Sequence, residues 1–423
     1  MKTLELDSLA PIYGGMCLSR LDGVVFIKGT IPGEKVLAEV KETRRDYSIA
    51  EAIEILQSST DRVAPRCRVY GMCGGCHYQH ISYERQLSIK EEILTDCLRR
   101  IAKIDIPVDR MIYGSQWNYR RKVQFKLSST SGGSSAPAIG FYREGTRDIV
   151  AVDECALLHN ELNRFLTKLK GARFLNGVSE VHMLTGKTTV AFLKGPEVDE
   201  AKLEFMLDIG FDGAVGSLAP DYQRTHVVGE PHCTLQMGGD IGQGLEYTVT
   251  PQGFFQSNWE LNQVLVEKVK EQLGSLSGKK VIDIYGGAGN FSLALSKTAK
   301  EITIVEDNPY SAADGQRNIV LNNITNASYI IQSFEKMPLG KISDSKIYDA
   351  AIVDPPRIGL TKAAVEKLLA LKAETIAYIS CNPSTFARDA AKLQGRYALS
   401  SVRLIDMFPN TYHCEVLGIF NRV

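Results

Sequence analysis

Two rhythms of apolar and polar positions divide the chain. Over residues 1–58, apolar-rich runs of strand length at 23–27, 35–40 and 47–56 are joined by turns, which predicts an all-β unit. Ile31-Pro32-Gly33-Glu34 sets proline and glycine at the two central positions that a type II turn requires. A small OB-like barrel, of the oligonucleotide-binding kind, accounts for such a segment. Over residues 253–423 the runs lose their alternation. The stretches 281–284, 301–305, 348–353, 375–379 and 416–420 read as buried strands, with a helical stretch at 291–297. That pattern predicts a doubly wound, Rossmann-like α/β domain. Residues 59–252 are mixed: Leu87, Ile89, Ile93, Leu94 and Leu98 recur with helical period over 83–101, in a helix free to pack on the C-terminal domain. Residues 128–136 read as a hairpin tip, and 178–252 as several strands with glycine turns. The expected fold is multidomain: an N-terminal β-barrel (1–58), a central α+β domain (59–252) and a C-terminal α/β domain (253–423).

Candidate chemistry gathers where the C-terminal strands end. Ser380-Cys381-Asn382-Pro383 directly follows the run 375–379. A cysteine at the C-terminal tip of a parallel strand lies where open α/β sheets bind ligands, so Cys381 is a candidate nucleophile rather than core filling. Asp354-Pro355-Pro356-Arg357 ends the run 348–353, and its prolines delay any helix and hold the acid at the tip. Glu415, after His413-Cys414, opens the last apolar run. A further strand runs into Tyr285-Gly286-Gly287-Ala288-Gly289-Asn290, a turn that lets backbone approach a ligand. Glu306 lies 20 residues past Gly286, the spacing of a carboxylate that accepts from ribose hydroxyls. No glycine-lysine-serine/threonine ending follows the turn, so a nucleoside-containing ligand fits better than a triphosphate.

The nine cysteines are an odd number, which disfavours a disulfide scaffold. Cys67, Cys73 and Cys76 are separated by five and two residues in a glycine-rich loop, a spacing that suits an iron–sulfur cluster or zinc. Cys17, Cys97, Cys233 and Cys414 receive no role.

Charge narrows little. Among 423 residues, 44% hydrophobic, 49 Lys and Arg balance 49 Asp and Glu, so any nucleic-acid contact rests on local patches. Trp117, Arg120, Arg121 and Lys122 interleave aromatic and cationic groups, and Lys41, Arg44 and Arg45 form a second basic group. No stretch has membrane-spanning length and the N-terminus lacks a signal peptide's apolar region, so a cytoplasmic protein without membrane contact is expected.

Several of these motifs together resemble a known family. Phe254-Phe255-Gln256-Ser257-Asn258, Asp283 to Phe291, Asp354-Pro355-Pro356-Arg357, Ser380 to Thr385 and His413-Cys414-Glu415 are similar, in order, to those of the RNA uracil-5-methyltransferases. The cysteine loop and the N-terminal unit, which resembles a TRAM domain, match that family's iron–sulfur branch acting on 23S rRNA. The resemblance implies S-adenosylmethionine and a 4Fe-4S cluster as cofactors, with Cys155 as fourth ligand beside Cys67, Cys73 and Cys76. It implies Cys381 as nucleophile at carbon 6 of uracil, Glu415 as general base, and Asp354 in uracil orientation or cofactor contact. Gln256, Tyr285, Asn290, Glu306, Asp354 and Ser333 would surround the cofactor, and Trp117, Arg120, Arg121 and Lys122 would meet RNA. A monomer acting on 23S rRNA is expected, with tRNA as the alternative substrate.

One departure stands out: relatives commonly carry cysteine where this chain has Gly286. Four protein thiolates would occupy every iron, and the spacing differs from that of radical S-adenosylmethionine enzymes, so radical methylation is not expected. Two other functional classes compete. A nicotinamide-dependent oxidoreductase would use the glycine turn and Glu306 but leave Cys381 and Glu415 idle, and a non-catalytic RNA-binding scaffold would need none of the three strand-tip residues.

Overall fold

The computed structural model describes residues 2–128, 136–218, 225–238, 244–338 and 348–423. The hairpin tip expected at 128–136 falls almost wholly outside the described residues.

The N-terminal strands form a six-stranded sheet in the order Thr3–Asp7, Lys35–Thr43, Tyr47–Gln57, Val24–Lys28, Met16–Arg20, Ala10–Ile12. Alternate residues Leu6, Val25, Ile27, Val36, Ala38 and Ala50 point into its small core. The Ile31–Glu34 turn has Gly33 at φ 95° and a 3.1 Å bond from Glu34 N–H to the Ile31 carbonyl, the type II geometry that only glycine adopts cheaply.

A seven-stranded sheet follows, running Ile149–Ala151, Ile139–Tyr142, Lys122–Leu127, Glu180–Thr185, Thr189–Gly195, Gly213–Leu218, Thr225–Gly229. Helix Asn160–Leu169 buries Leu162, Phe165, Leu166 and Leu169, one helical face, in the core beneath it. The hairpin Cys233–Met237 and Leu245–Val249 stands apart and packs with the C-terminal core, so the strands expected over 178–252 divide between two bodies.

The third sheet has eight strands: Ala327–Ile331, Glu301–Glu306, Lys280–Ile284, Ala350–Val353, Thr375–Ser380, Glu415–Arg422, Tyr397–Ile405, Asp109–Ile112. The first five are parallel, and the chain winds outward from Lys280–Ile284 in one direction, then from Ala350–Val353 in the other. The crevice at the C-terminal ends of these two strands is the topological switch point where such sheets bind ligands.

Two pieces of the 59–252 range belong to this sheet. Strand Asp109–Ile112 pairs with Tyr397–Ile405, covering backbone groups that an open edge would expose. Helix Tyr83–Cys97 adds Ile89, Ile93 and Leu94 to the same core. The helix also buries Lys90, whose ammonium meets Asp406 Oδ1 at 2.6 Å and the Phe408 carbonyl at 3.2 Å, while Tyr83 Oη donates to Asp406 Oδ2 at 2.9 Å. Among the described residues no helix is long and apolar enough to cross a membrane.

Candidate active site and cysteine cavity

Cys381 follows the last residue of the buried strand Thr375–Ser380, and Asn382 behind it caps helix Pro383–Leu393. The Asn382 amide oxygen accepts from Ser384 N–H at 3.0 Å and Thr385 N–H at 3.4 Å, with Pro383 supplying a first-turn residue that needs no acceptor. The thiol therefore sits at the positive end of a helix, which favours its ionised form. Its surroundings oppose that. Loss of hydration, then the charges of Glu415 and Asp354, push the thiol up to about 12, with Arg357 acting the other way. Tyr13, from the N-terminal sheet, donates its hydroxyl to the Cys381 carbonyl at 3.1 Å.

Glu415 starts strand Glu415–Arg422 opposite Ile405 and is only 3% exposed. Its Oε2 is buried without a hydrogen-bond partner among the described residues. Burial first, then Asp354, holds its carboxyl well above the usual range, against the pull of Arg357. Asp354 sits just past Ala350–Val353, its N–H on the Ile284 carbonyl at 3.3 Å, and burial pushes its carboxyl up to about 7. A thiol and two acids thus lie close enough to act on one another: Glu415 and Asp354 both disfavour the Cys381 thiolate and Asp354 disfavours the Glu415 carboxylate, with one guanidinium, Arg357, as counter-charge. Such a set ionises its members one at a time, as a nucleophile followed by a base must.

Asp354 also lines the adjoining cavity, about 470 Å³, which lies at the switch point and includes Gln256, Tyr285, Asn290 and the backbone of Gly286 and Gly287. Tyr285 adopts φ 64°, a strained conformation held by its hydroxyl bond to Glu335 Oε1 at 2.5 Å. Ser333 donates to the other oxygen of Glu335 at 2.8 Å. Ser333 is not on the cavity wall; it orients Glu335, which sequence reasoning missed because nothing in its spacing marks it. Asn290 exchanges two amide hydrogen bonds with Asn262, 2.7 and 2.9 Å, another partner without a sequence signal. Glu306 accepts from Gly287 N–H at 2.8 Å and Asn308 N–H at 2.7 Å, so its carboxylate is fixed beside the glycine turn. A Cβ on Gly286 would lie 2.4 Å from Ile304 Cγ2, so the cysteine expected there by resemblance has no room on this backbone.

A second cavity, about 520 Å³, is lined by Cys67, Cys73, Cys76 and Cys155 together. All four are free thiols. Their loops are fixed by backbone: Cys67 N–H donates to Gln79 Oε1 at 3.0 Å, Gly74 N–H to the Tyr142 carbonyl at 3.1 Å, and Cys155 N–H to Asn163 Oδ1 at 3.0 Å. Among the described residues no three His, Cys, Asp or Glu side chains close round a point tightly enough to ligate a single ion. The thiols surround a space instead, and Arg120 faces it with a buried Nε that has no partner. Burial raises Cys73 and Cys155 and pushes Cys76 up to about 12, while the Arg120 charge acts against the rise at Cys73 and Cys155. By donor type, four cysteines are the set that zinc and iron–sulfur centres share.

Residues of the basic patch expected to meet RNA also make contacts within the chain. Arg121 pairs with Glu260 at 2.6 Å, and Lys122 donates to the Gly253 carbonyl at 2.6 Å, where burial pulls its ammonium down to about 8. Arg120 turns to the cysteine cavity, and the Trp117 ring lies 5.1 Å from the Arg66 guanidinium carbon. The Arg121 and Lys122 side chains thus have partners within the chain, whereas the Arg120 side chain has none among the described residues. Lys41, Arg44 and Arg45 likewise lie beside Glu39, Glu42 and Asp46.

Comparison with known proteins agrees with this architecture. Residues 235–422 match the family model described as tRNA (Uracil-5-)-methyltransferase. An uncharacterized RNA methyltransferase of Aquifex aeolicus is 35% identical, with 99% of this chain and 98% of the relative covered. The 23S rRNA (uracil(1939)-C(5))-methyltransferases RlmD of Shewanella amazonensis and Haemophilus parainfluenzae are 31% and 33% identical, covering 100% and 96% of this chain and 95% and 94% of their own. In fold, the chain is similar to the Pyrococcus abyssi tRNA (uracil-54, C5)-methyltransferase crystallised with S-adenosyl-L-homocysteine, with TM-score 0.75, 23% identity and coverage of 98% and 100%. Full-length relatives above 30% identity, and a family model lying over the pocket of Cys381, Asp354 and Glu415, leave neither the oxidoreductase nor the scaffold standing: the chain belongs to the S-adenosylmethionine-dependent RNA uracil-5-methyltransferases.

Proposed function

We infer that this enzyme methylates carbon 5 of a uridine in 23S rRNA through a covalent adduct between Cys381 and carbon 6 of the base. One observation carries the reading: Asp354 lines the cofactor cavity and also acts electrostatically on Cys381 and Glu415, so thiol, base and cofactor site share one residue.

The chemistry follows from that arrangement. Carbon 5 of uracil is a weak nucleophile. Addition of the Cys381 thiolate to carbon 6 moves the ring's double-bond electrons onto carbon 5 and the adjoining carbonyl as an enolate. S-Adenosylmethionine, when bound, supplies an electrophilic methyl carbon, and Gln256, Tyr285, Asn290, Glu306 and Asp354 would hold it. Once carbon 5 is methylated, the Glu415 carboxylate removes its hydrogen; the released electrons restore the ring double bond and expel the Cys381 thiolate. A carboxylate with an unpartnered oxygen and an elevated pKa is suited to that task. The target base must leave its stack to reach a half-buried thiol.

Support for 23S rRNA comes from the two relatives named for it, which match nearly the whole chain. Transfer RNA is the second reading, because the family model carries a tRNA name. Mass mapping of RNA from a deletion strain separates them. We read the four cysteines as ligands of a structural 4Fe-4S cluster, on the donor set and the Arg120 charge beside it. The enzyme is taken as a cytoplasmic monomer of three units meeting near residues 58 and 252, with helix Tyr83–Cys97 and strand Asp109–Ile112 counted in the third.

Replacing Glu415 by Gln is expected to accumulate an RNA–protein adduct that survives denaturing electrophoresis, and adding Cys381→Ala to abolish it. Normal turnover by Glu415→Gln would remove Glu415 from the role of base.

A further inference from the structure

Arg120 is a cation that no acidic side chain answers. No ion pair and no side-chain hydrogen bond involves it among the described residues, and its Nε is buried. Glu154, the one carboxylate on the same cavity wall, is exposed and forms no ion pair with it. A partly buried guanidinium left without an anion favours negative charge in the cavity it faces. Four neutral thiols supply none, whereas four thiolates round a metal centre do.

The backbone of the same residue occupies a junction. Arg120 N–H donates to the Leu157 carbonyl and its own carbonyl accepts from His159 N–H, both at 2.9 Å, which ties it to the loop holding Cys155. On its other side Arg120 bridges Asn258, and Arg121 N–H donates to the Ser257 carbonyl at 2.8 Å. Gln256, next along that segment, is a wall of the cofactor cavity. This short stretch of paired backbone links a wall of the cysteine cavity to a wall of the cofactor pocket.

Resting on the cluster reading above, we propose that Arg120 is a positioning residue joining the two sites: its guanidinium donates hydrogen bonds to the anionic iron–sulfur centre, and its backbone transmits that constraint to the Gln256–Asn258 wall of the S-adenosylmethionine pocket. The cluster then acts as a brace for cofactor binding, without any redox step.

The test uses full-length protein reconstituted anaerobically with iron and sulfide. Iron per chain, the rate at which visible absorption bleaches in air, and the Kd for S-adenosylmethionine by calorimetry are measured for wild type, Arg120→Gln and Arg120→Lys. Loss of an outer-shell partner predicts bleaching about 10-fold faster in Arg120→Gln and a Kd weakened several-fold, with Arg120→Lys between it and wild type because charge survives but the planar fork does not. If Arg120→Gln fails to fold, the Arg120→Lys comparison decides alone. Wild type that takes up no iron overturns the cluster reading itself. Wild type that takes up iron while the variants bleach and bind as it does overturns only the role of Arg120, and faster bleaching with an unchanged Kd overturns the link to the cofactor pocket.

Discussion

The molecule holds two sets of half-buried thiols whose neighbours differ in sign. Around Cys381 stand two carboxyls and one guanidinium, so a negative sulfur adds to a surplus of acid. Around Cys67, Cys73, Cys76 and Cys155 stands a guanidinium with no acid paired to it. The first environment tolerates a thiolate briefly, which suits a nucleophile that must also leave. The second lacks negative charge, which suits thiolates held permanently by metal. Burial raises thiol pKa values at both; what separates a reactive cysteine from a ligand here is what lies around the sulfur.

The largest expected effects break this comparison outright. Cys381→Ala should lower methyl transfer by about 10⁴-fold or more, as loss of a covalent nucleophile does, while leaving iron content unchanged. Cys73→Ser should do the converse, losing iron and several degrees of melting temperature while Cys381 still reacts with iodoacetamide. Reading both proteins for iron, Tm and alkylation separates the sites; loss of iron in Cys381→Ala would merge them.

A smaller effect sharpens the contrast. Because Glu415 raises the Cys381 thiol only when ionised, Glu415→Gln should speed alkylation of Cys381 several-fold, with the gain growing as pH rises through the elevated pKa of Glu415. A gain that is flat with pH, or absent, would mean that burial alone holds the thiol protonated.

The reactive set was far more legible in the sequence than its supports. Cys381, Asp354 and Glu415 stand at the ends of unbroken apolar runs, and topology brings them to one side of the sheet: Cys381 and Asp354 follow parallel strands, and Glu415 opens an antiparallel one beside Thr375–Ser380. Tyr13, Glu335 and Asn262 reach the same region from elements distant along the chain, and no local pattern announces a partner 368 residues away, as Tyr13 is from Cys381. The partners of the basic patch were illegible for a related reason. Interleaved charge and aromatic rings look alike whether they face RNA or a carboxylate such as Glu260, 139 residues downstream of Arg121. The helix Tyr83–Cys97 was readable as a helix, but nothing local marks Lys90 as buried, because its partner Asp406 lies far along the chain.

The smallest expected effect concerns Asp354, whose carboxyl is pushed from 3.8 up to about 7 by burial. Between those values the folded chain holds a proton that the unfolded chain has released, so the wild type loses stability as pH rises from about 4 to about 7. The Asp354→Asn variant carries an amide there and has no such proton to lose. His80 and His413, lowered to about 4 and about 3 by burial, destabilise in the opposite sense as pH falls, but they do so equally in both proteins. The difference in Tm between Asp354→Asn and wild type, measured without cofactor, should therefore be near zero at pH 4 and climb to a plateau of a few degrees above pH 7. Relief of Glu415 from its acidic neighbour adds to the same rise. A difference independent of pH would show that Asp354 is ionised throughout, and the acid surplus that distinguishes Cys381 from the four ligand thiols would then be carried by Glu415 alone.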